Sequence, residues 1–190
     1  MLIVVRHGRT GHNAAGRLLG HLDPDLDDVG RAQARALAAA LGPVDRVVSS
    51  PLGRARQTAA EIAGPVEVDE RWIEMDYGEL DGTPIADVPA STWARWRDDD
   101  DFAPPGGESH AALGRRVAAA CEALAADAAE HDVVVVSHVS PIKAAATWSL
   151  GVPIGVSWRL HVAPASITRI ATAGVPRLHG FDDVAHLAGG

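Results

Sequence analysis

Three short apolar runs along the chain lack the alternation of polar and apolar residues that a half-exposed strand shows. The runs are Leu2–Val5, Val47-Val48 at the end of segment 45–48, and Val133–Val136. Uninterrupted runs of this kind, rich in β-branched residues, are typical of buried strands in a parallel sheet. The consecutive valines of the third run indicate a central strand that is covered on both faces.

Stretches with helical periodicity separate these runs. Asp27 is a suitable N-cap for a helix that extends to about Leu41, because apolar residues behind it recur on one face. Further helices are predicted from Pro51 to about Ala63, from Glu108 to about His131 and from Pro141 to Leu150, and extended segments at 66–68, 166–170 and, at a sheet edge, 176–178. This alternation predicts an α/β fold with a mainly parallel central sheet, in a single domain that spans residues 1–190.

Each apolar run ends in residues that suit a phosphate. The three endings are Arg6-His7-Gly8, a segment with Arg54 and Arg56, and Ser137-His138. Because ligands bind beyond the carboxyl ends of strands in open α/β sheets, we expect these groups to converge. Guanidinium groups hold phosphate oxygens, imidazole can attack phosphorus, and glycine lets the backbone approach closely. A proline-started helix at Pro51 would add an N-terminus that favours anions.

The stretch from 83 to 107 is the least regular part of the chain. Its prolines interrupt any long element, and Asp98–Asp101 form an acidic run that we interpret as a solvated loop without a metal. We predict an insertion near the active site with a short helix through Trp93 and Trp96. These two side chains either line the substrate entrance or cover the core.

Composition narrows the class of protein. The 190 residues carry a formal net charge of −8, which argues against nucleic acid or an anionic membrane as a partner. The first apolar run is too short for a signal peptide and no stretch is long enough to span a membrane, so a cytoplasmic protein is expected. The single cysteine, Cys121, excludes an internal disulfide. It is interpreted as a packing residue, because a cysteine phosphatase needs an arginine where Asp127 stands.

Several separated motifs resemble the histidine phosphatase superfamily, which has the phosphoglycerate mutase-like fold. The similarity covers almost the whole chain and is carried by Arg6-His7-Gly8-Arg9-Thr10-Gly11-His12-Asn13, Gly20–Leu26 with Gly30, Ser49–Leu52, Arg54-Ala55, Gln57–Ala59, Glu74, Tyr77-Gly78, Asp81-Gly82, Gly106–Ser109 and Ser137-His138. The resemblance implies a three-layer α/β/α sandwich and a phosphomonoester hydrolase that needs no cofactor. Ser137–Lys143 is also similar to the acid-phosphatase and α-ribazole-phosphatase-like branch.

The resemblance implies a phosphohistidine mechanism. His7 would attack phosphorus, while its other ring nitrogen donates to a backbone carbonyl near Gly8. Arg6 and Arg54 would hold the phosphate oxygens, and His138 in its charged form would supply further donors. No His-Glu-x-x-His or paired-cysteine spacing suggests a metal site.

The remaining matched residues complete the predicted site. A protonated Glu74 would give its proton to the departing alkoxide and then activate water, with Glu79 as the competitor for this role. Asn13 would add a neutral donor, and Thr10 and Gly20 are the other predicted substrate-binding residues.

Other charged side chains have two interpretations. Arg9 and Arg56 either extend the phosphate site or pair with surface carboxylates. The remaining histidines are interpreted as structural or solvated, with the first the least certain: His12, His21, His110, His131, His161, His179 and His186.

Both phosphohydrolases and phosphoglycerate mutases resemble this chain. Mutases carry a longer insertion with adjacent arginines for the carboxylate of phosphoglycerate, whereas 83–107 has only Arg95 and Arg97 beside the aspartates. Such a segment suits a second anionic group poorly and favours hydrolysis, while Tyr77 also occurs in some mutases. A cofactor-dependent mutase is the alternative, followed by a non-catalytic protein that binds phosphorylated ligands. The expected partners are a small phosphorylated substrate and a second copy of the chain in a homodimer.

Overall fold

The computed structural model describes residues 1–62 and 64–188. Its strands are β1 (Leu2–Arg6), β2 (Arg46–Ser49), β3 (Val66–Val68), β4 (Val133–Ser137), β5 (Ile167–Ala171) and β6 (Arg177–Asp183). Its α-helices are α1 (Gly11–Ala14), α2 (Asp28–Leu41), α3 (Gly53–Ala59), α4 (Ala90–Asp98), α5 (His110–Glu130) and α6 (Val139–Leu150). Short 3-10 helices occupy Glu70–Trp72, Gly78–Leu80, Ile85–Asp87, Ile154–Arg159 and Ala185–Leu187.

The strands form one sheet in the order β3-β2-β4-β1-β5-β6. The first four strands in this order are parallel, and β5 and β6 are added antiparallel at one side. The valine strand β4 lies between β2 and β1, and its residues are buried throughout. The predicted central strand and the mainly parallel sheet are confirmed.

Helices cover both faces of the sheet, because successive strand residues point to opposite sides. Val133 and Val135 pack into one core with residues of α5 and α6. Val134 and Val136 pack into a second core with residues of α2 and α3. The molecule therefore has the predicted three layers, α/β/α, with the ends of β1 and β4 adjacent at its centre.

Some helix bounds differ from the predictions. The helix predicted from Pro51 begins at Gly53 and ends at Ala59, so the predicted start is wrong. Its predicted end, Ala63, and the end of the predicted 1–190 domain, 189–190, lie outside the described residues. Helix α6 begins before Pro141, which is compatible with the first helical turn because proline lacks only an N–H that the turn does not use.

The predicted short helix within 83–107 is α4, and it carries both tryptophans. Trp96 is 1% exposed and packs in the core against Tyr77 and Phe102, with ring centroids 5.8 Å and 6.1 Å away. Trp93 is only half-buried, because it faces a cavity. Trp96 therefore covers the core, whereas Trp93 lines the cavity.

Two further expectations concern burial. Cys121 is fully buried in α5 as a free thiol, and burial raises its pKa, as befits a packing residue. Across 1–62 and 64–188, the helices are all too short or too polar to cross a bilayer.

Candidate active site

His7 lies immediately beyond the carboxyl end of β1. Its backbone N–H donates to the carbonyl oxygen of Ser137 at 3.0 Å, which joins the ends of β1 and β4. The residue is 2% exposed, and its Nδ1–H donates to the carbonyl oxygen of Gly8 at 2.7 Å. Because a carbonyl only accepts, the ring proton is on Nδ1 and the lone pair is on Nε2. Burial, reinforced by the charges of Arg54 and Arg6, holds the pKa of His7 well below its ordinary value, which keeps Nε2 unprotonated.

The loop after His7 packs backbone to backbone against the start of α2. A Cβ on Gly8 would collide with the carbonyl oxygen of Gly30, and a Cβ on Gly30 would collide with the backbone of Arg9. The N–H of Gly8 also donates to Oγ1 of Thr58 on α3 at 3.0 Å. Glycine at these two positions therefore lets the loop after His7 pack directly against α2.

Arg6, the last residue of β1, places a guanidinium group close to His7. Its Nη1 donates to the carbonyl oxygen of Val162 at 2.7 Å, and its buried Nε–H has no partner among the described residues. Burial lowers the pKa of Arg6 to about 10, with the negative charge of Glu74 as the main opposing influence. The group is therefore a cation at neutral pH with a donor to spare for an anion.

Arg54 is entirely buried near the start of α3. It donates to the carbonyl oxygens of Leu22 at 2.6 Å and Gly20 at 2.7 Å. Burial lowers its pKa, and the charges of Glu74 and Asp23 oppose that shift. Backbone carbonyls thus orient this guanidinium group in advance, as a preorganised phosphate clamp requires.

The N-terminus of α3 is not the anion site that the sequence predicts. A carboxylate of the chain itself, that of Asp23, accepts from the backbone N–H of Gly53 at 2.6 Å and of Arg54 at 3.4 Å. It also lies 3.5 Å from the Arg54 guanidinium group. Asp23 thereby takes the place at this helix end that the prediction gives to phosphate.

His138 is the N-cap of α6, and its ring centroid lies 5.0 Å from that of His7. Nε2 of His138 is hydrogen-bonded to Oγ of Ser50 at 2.7 Å, and that oxygen also accepts from the N–H of Leu52 at 3.3 Å. The other ring nitrogen, Nδ1, is buried without a partner in the described part of the chain. Burial first, and then the charge of Arg54, lowers the pKa of His138 well below its ordinary value. The expected charged form is therefore corrected: the protein's own groups favour the neutral ring.

Glu74 follows the 3-10 helix Glu70–Trp72 and is 3% exposed. Its Oε1 accepts from the backbone N–H groups of Met75 at 2.7 Å and Ser140 at 3.1 Å. Ser140 is in the first turn of α6, so this contact places the Glu74 carboxyl group at the same helix end as His138. The competing Glu79 is exposed and does not line the cavity, so the geometry favours Glu74 as the proton donor.

A cavity of about 400 Å³ opens over Arg6, His7 and Glu74, whereas Arg54 and His138 are fully buried and do not line it. We call the part of its lining that contains Arg6, His7, Asn13 and Glu74 the inner wall. The part that contains Trp93, Lys143, Trp158, Leu160 and His161 is the outer wall. The inner wall carries groups that can attack, bind and protonate a phosphate ester, and the outer wall offers aromatic surface and one ammonium group to its organic part.

The family model described as histidine phosphatase superfamily (branch 1) matches residues 2–178 of the chain. The chain belongs to the histidine phosphatase superfamily. The family predicted from the motifs is therefore confirmed, whereas the acid-phosphatase and α-ribazole-phosphatase-like branch stays a prediction.

The chain is similar in sequence or structure to a bifunctional protein and to phosphatases. The chain is similar to bifunctional protein Rv2228c of Mycobacterium tuberculosis, with 36% identity over 177 residues that cover 88% of this chain and 49% of that protein, so it spans about half the length of that relative. Glucosyl-3-phosphoglycerate phosphatase of Mycolicibacterium vanbaalenii is 34% identical over 195 residues, which cover 94% of this chain and 86% of the relative. The solved structure of mycobacterial glucosyl-3-phosphoglycerate phosphatase complexed with VO3 superposes with a TM-score of 0.86 and 33% identity, covering 95% of this chain and 98% of that one.

Of the predicted substrate-binding residues Asn13, Thr10 and Gly20, only Asn13 lines the cavity. Asn13 lines the cavity, and its Oδ1 accepts from the N–H of Thr10 at 3.1 Å, which leaves the amide NH₂ as a donor. Thr10 is fully buried and caps α1 instead of lining the cavity. Gly20 is also outside the cavity wall, where its carbonyl orients Arg54. Thr10 therefore orients Asn13, and Gly20 orients Arg54, instead of contacting the cavity themselves.

The two undecided arginines are both directed away from the catalytic groups. Arg9 donates to Asp27, the N-cap of α2, at 2.8 Å, and its side chain is 37% exposed. Arg56 is exposed on α3 and lines a separate surface depression. The surface-pairing interpretation fits Arg9, and neither side chain lines the cavity above His7.

Sequence reasoning missed much of the outer wall. His110 and His161, interpreted as structural or solvated, both line the cavity, although His110 is bonded to Asp100 at 3.2 Å and Ser157 at 2.9 Å. Trp158 was not singled out, because no motif surrounds it. Lys143 could have been found, since it is the chain's one lysine and follows His138 within the same helix.

Proposed function

We propose that the chain hydrolyses a phosphate monoester of a small metabolite through a phosphohistidine intermediate. The single observation that carries this proposal is the His7 Nδ1–Gly8 carbonyl bond of 2.7 Å. It directs the unprotonated Nε2 away from the loop, on a ring that lines the same cavity as Arg6 and Glu74. A nucleophile, a cationic clamp and a carboxyl group then meet at one phosphate, and the chemistry requires no metal.

The first step forms the phosphoenzyme. His7 Nε2 attacks phosphorus in line while the bond between phosphorus and the ester oxygen breaks. Glu74 gives its proton to that oxygen, so the alcohol leaves neutral. Arg6 and Arg54 balance the charge on the equatorial oxygens, and a ring N–H of His138 supplies a further donor.

The second step returns the free enzyme. Glu74, now a carboxylate, takes a proton from water as the water oxygen bonds to phosphorus. The phosphorus–nitrogen bond breaks, and its electron pair returns to His7 Nε2. Inorganic phosphate leaves, and Glu74 is again protonated for the next cycle.

Several broader features belong to the same proposal. The protein acts in the cytoplasm, as a single domain and as a homodimer, on small phosphorylated molecules and not on nucleic acid. Segment 83–107 is an insertion beside the active site. The name of the glucosyl-3-phosphoglycerate phosphatase relative supports a phosphorylated organic acid as one substrate to test, beside α-ribazole phosphate.

The decisive experiment is steady-state hydrolysis of p-nitrophenyl phosphate in the presence of EDTA, with wild type and His7→Ala. We expect metal-independent turnover that His7→Ala abolishes, together with an acid-labile phosphoenzyme in wild type only. His12→Ala is the matched control, because His12 lies five residues after His7, in α1, and is not on the cavity wall, so this variant should keep its activity.

Two outcomes would contradict the proposal. Turnover that survives His7→Ala would remove the nucleophile assignment. No wild-type turnover from acid to neutral pH would favour a mutase or a binding protein, and phosphoryl transfer from 2,3-bisphosphoglycerate would distinguish these two.

A further inference from the structure

The chain has one lysine among its seventeen basic residues, and that lysine is on the cavity wall. Lys143 lies on α6, one helical turn after Val139 and three residues after Ser140, both of which also line the cavity. Side chains one turn apart on a helix lie on one face. The ammonium group therefore belongs to the same face of α6 that holds Glu74 through the Ser140 N–H.

In the described part of the chain the Lys143 ammonium group has no ion-pair partner, and the charge of Glu74 only partly offsets the effect of burial on its pKa. Within residues 1–62 and 64–188, no carboxylate forms an ion pair with Lys143, although thirteen ion pairs occur elsewhere. The nearby carboxylates have other partners: Glu74 accepts from backbone N–H groups, and Asp100 lies 3.2 Å from the ring of His110. Lys143 is half-buried, and this burial lowers its pKa.

A half-buried cation without a partner is costly unless it meets an anion. Arg6 is a cation on the inner wall, and it is oriented by a backbone carbonyl for the phosphate. The second cation, on the outer wall, is thus available to the organic part of the ester. One ammonium group balances one negative charge, which fits a carboxylate better than a second phosphate dianion.

We propose that Lys143 binds a carboxylate on the organic part of the substrate, so that the cavity selects phosphate esters of small organic acids. This inference rests on the proposed phosphatase function. The ammonium group comes from α6 and not from the 83–107 segment, whose acidic composition suits a second anionic group poorly.

The test uses two esters that differ only at the proposed contact. D-3-phosphoglycerate carries a carboxylate where sn-glycerol 3-phosphate carries a hydroxymethyl group. We expect wild type to have the higher kcat/KM for 3-phosphoglycerate, and Lys143→Met to lose about ten- to a hundredfold on that ester, mainly through KM. Glycerol 3-phosphate should change less than about twofold, as should p-nitrophenyl phosphate.

Three variants make the result specific. Lys143→Arg keeps the charge and should retain the preference, and Lys143→Gln repeats the test should Lys143→Met fold poorly. Arg17→Met removes another cation of the cavity, one that is exposed and donates to the carbonyl oxygen of Gly82 at 2.8 Å. It should leave the preference unchanged.

Each other outcome overturns the inference. Equal losses on both esters would indicate a structural role, and a lost preference in Arg17→Met alone would move the subsite to Arg17. If neither ester is turned over, their competitive inhibition constants against p-nitrophenyl phosphate give the same comparison. Absence of p-nitrophenyl phosphate hydrolysis in wild type would instead overturn the proposed function, which separates the two failures.

Discussion

The inner and outer walls of the cavity are built in different ways. The inner wall is formed by residues at the end of β1, in α1 and after the 3-10 helix Glu70–Trp72, and three of its groups are bonded to backbone: His7 to Gly8, Arg6 to Val162, and Glu74 to Met75. The outer wall comes from α4, α6 and the segment before β5, and its tryptophans contact other aromatic rings, with the rings of Trp93 and Trp158 6.2 Å apart and those of Trp158 and His110 5.2 Å apart. A site held by backbone atoms fixes the chemistry, whereas a wall of side chains can change the substrate without disturbing that chemistry.

Glu74→Gln tests the inner wall most severely. With an alkyl ester such as glycerol 3-phosphate, we expect a fall in kcat of about 10²- to 10⁴-fold, because no proton is supplied to the departing alkoxide. The loss should be smaller for p-nitrophenyl phosphate, because nitrophenolate leaves with little need of a proton. Glu79→Gln is the matched control and should behave as wild type. Equal losses of Glu74→Gln on both esters would exclude the proton-donor role.

Arg54→Lys asks whether a charge alone is enough at the clamp. A lysine cannot donate to two carbonyls and a phosphate in one plane, so we expect kcat/KM to fall by about 10²- to 10³-fold. Arg56→Lys, made two positions later on the exposed side of α3, should stay within about twofold of wild type. A similar loss in both variants, measured with p-nitrophenyl phosphate, would show that the helix is perturbed and not the clamp.

The buried histidines should also make stability depend on pH. The pKa of His138 is lowered below 6.5 in the folded protein, so just below pH 6.5 the unfolded chain binds a proton that the native protein does not. This contribution to the free energy of unfolding is complete above pH 6.5 and decreases as the pH falls, by up to about 1.4 kcal/mol per pH unit. His7 acts in the same direction.

Urea unfolding between pH 7 and pH 5 measures this slope. His138→Gln should flatten the decline, whereas His131→Gln should not, because Asp127 raises the pKa of that exposed histidine. Parallel curves for wild type and His138→Gln would contradict the expected neutral His138.

The outer wall should give the smallest effects. Trp158→Ala removes an aromatic face, and we expect KM for p-nitrophenyl phosphate to rise about two- to tenfold with kcat unchanged. Trp158→Phe keeps an aromatic ring and should recover most of the affinity. A fall in kcat comparable to that of the inner-wall variants would remove the distinction between the two walls.

The sequence is most informative where local pattern and burial agree. The runs at Leu2–Val5 and Val133–Val136 predict buried strands, and because strand ends are adjacent in a parallel sheet, they also predict that His7 and His138 meet. The neutral state of His138 could not be predicted, since it depends on burial and on Arg54 from another element. Likewise, Asp23 takes over the α3 N-terminus through a contact that no local pattern shows.

The outer wall was harder to predict for a related reason. Trp93, Lys143 and Trp158 come from three separate segments, and their meeting depends on loop paths that hydrophobic periodicity does not encode. Lys143 has only its rarity in the sequence as a signal.

The position of β1 in the sheet has a consequence for folding. Its neighbours are β4 and β5, so Leu2 pairs with Val133 on one side and Ile170 on the other. Contacts between residues so far apart in sequence make folding slow, because a long loop must close before they form. During synthesis, the strand that leads to His7 emerges before both of its neighbours, so the site cannot become competent until β4 and β5 have also been made.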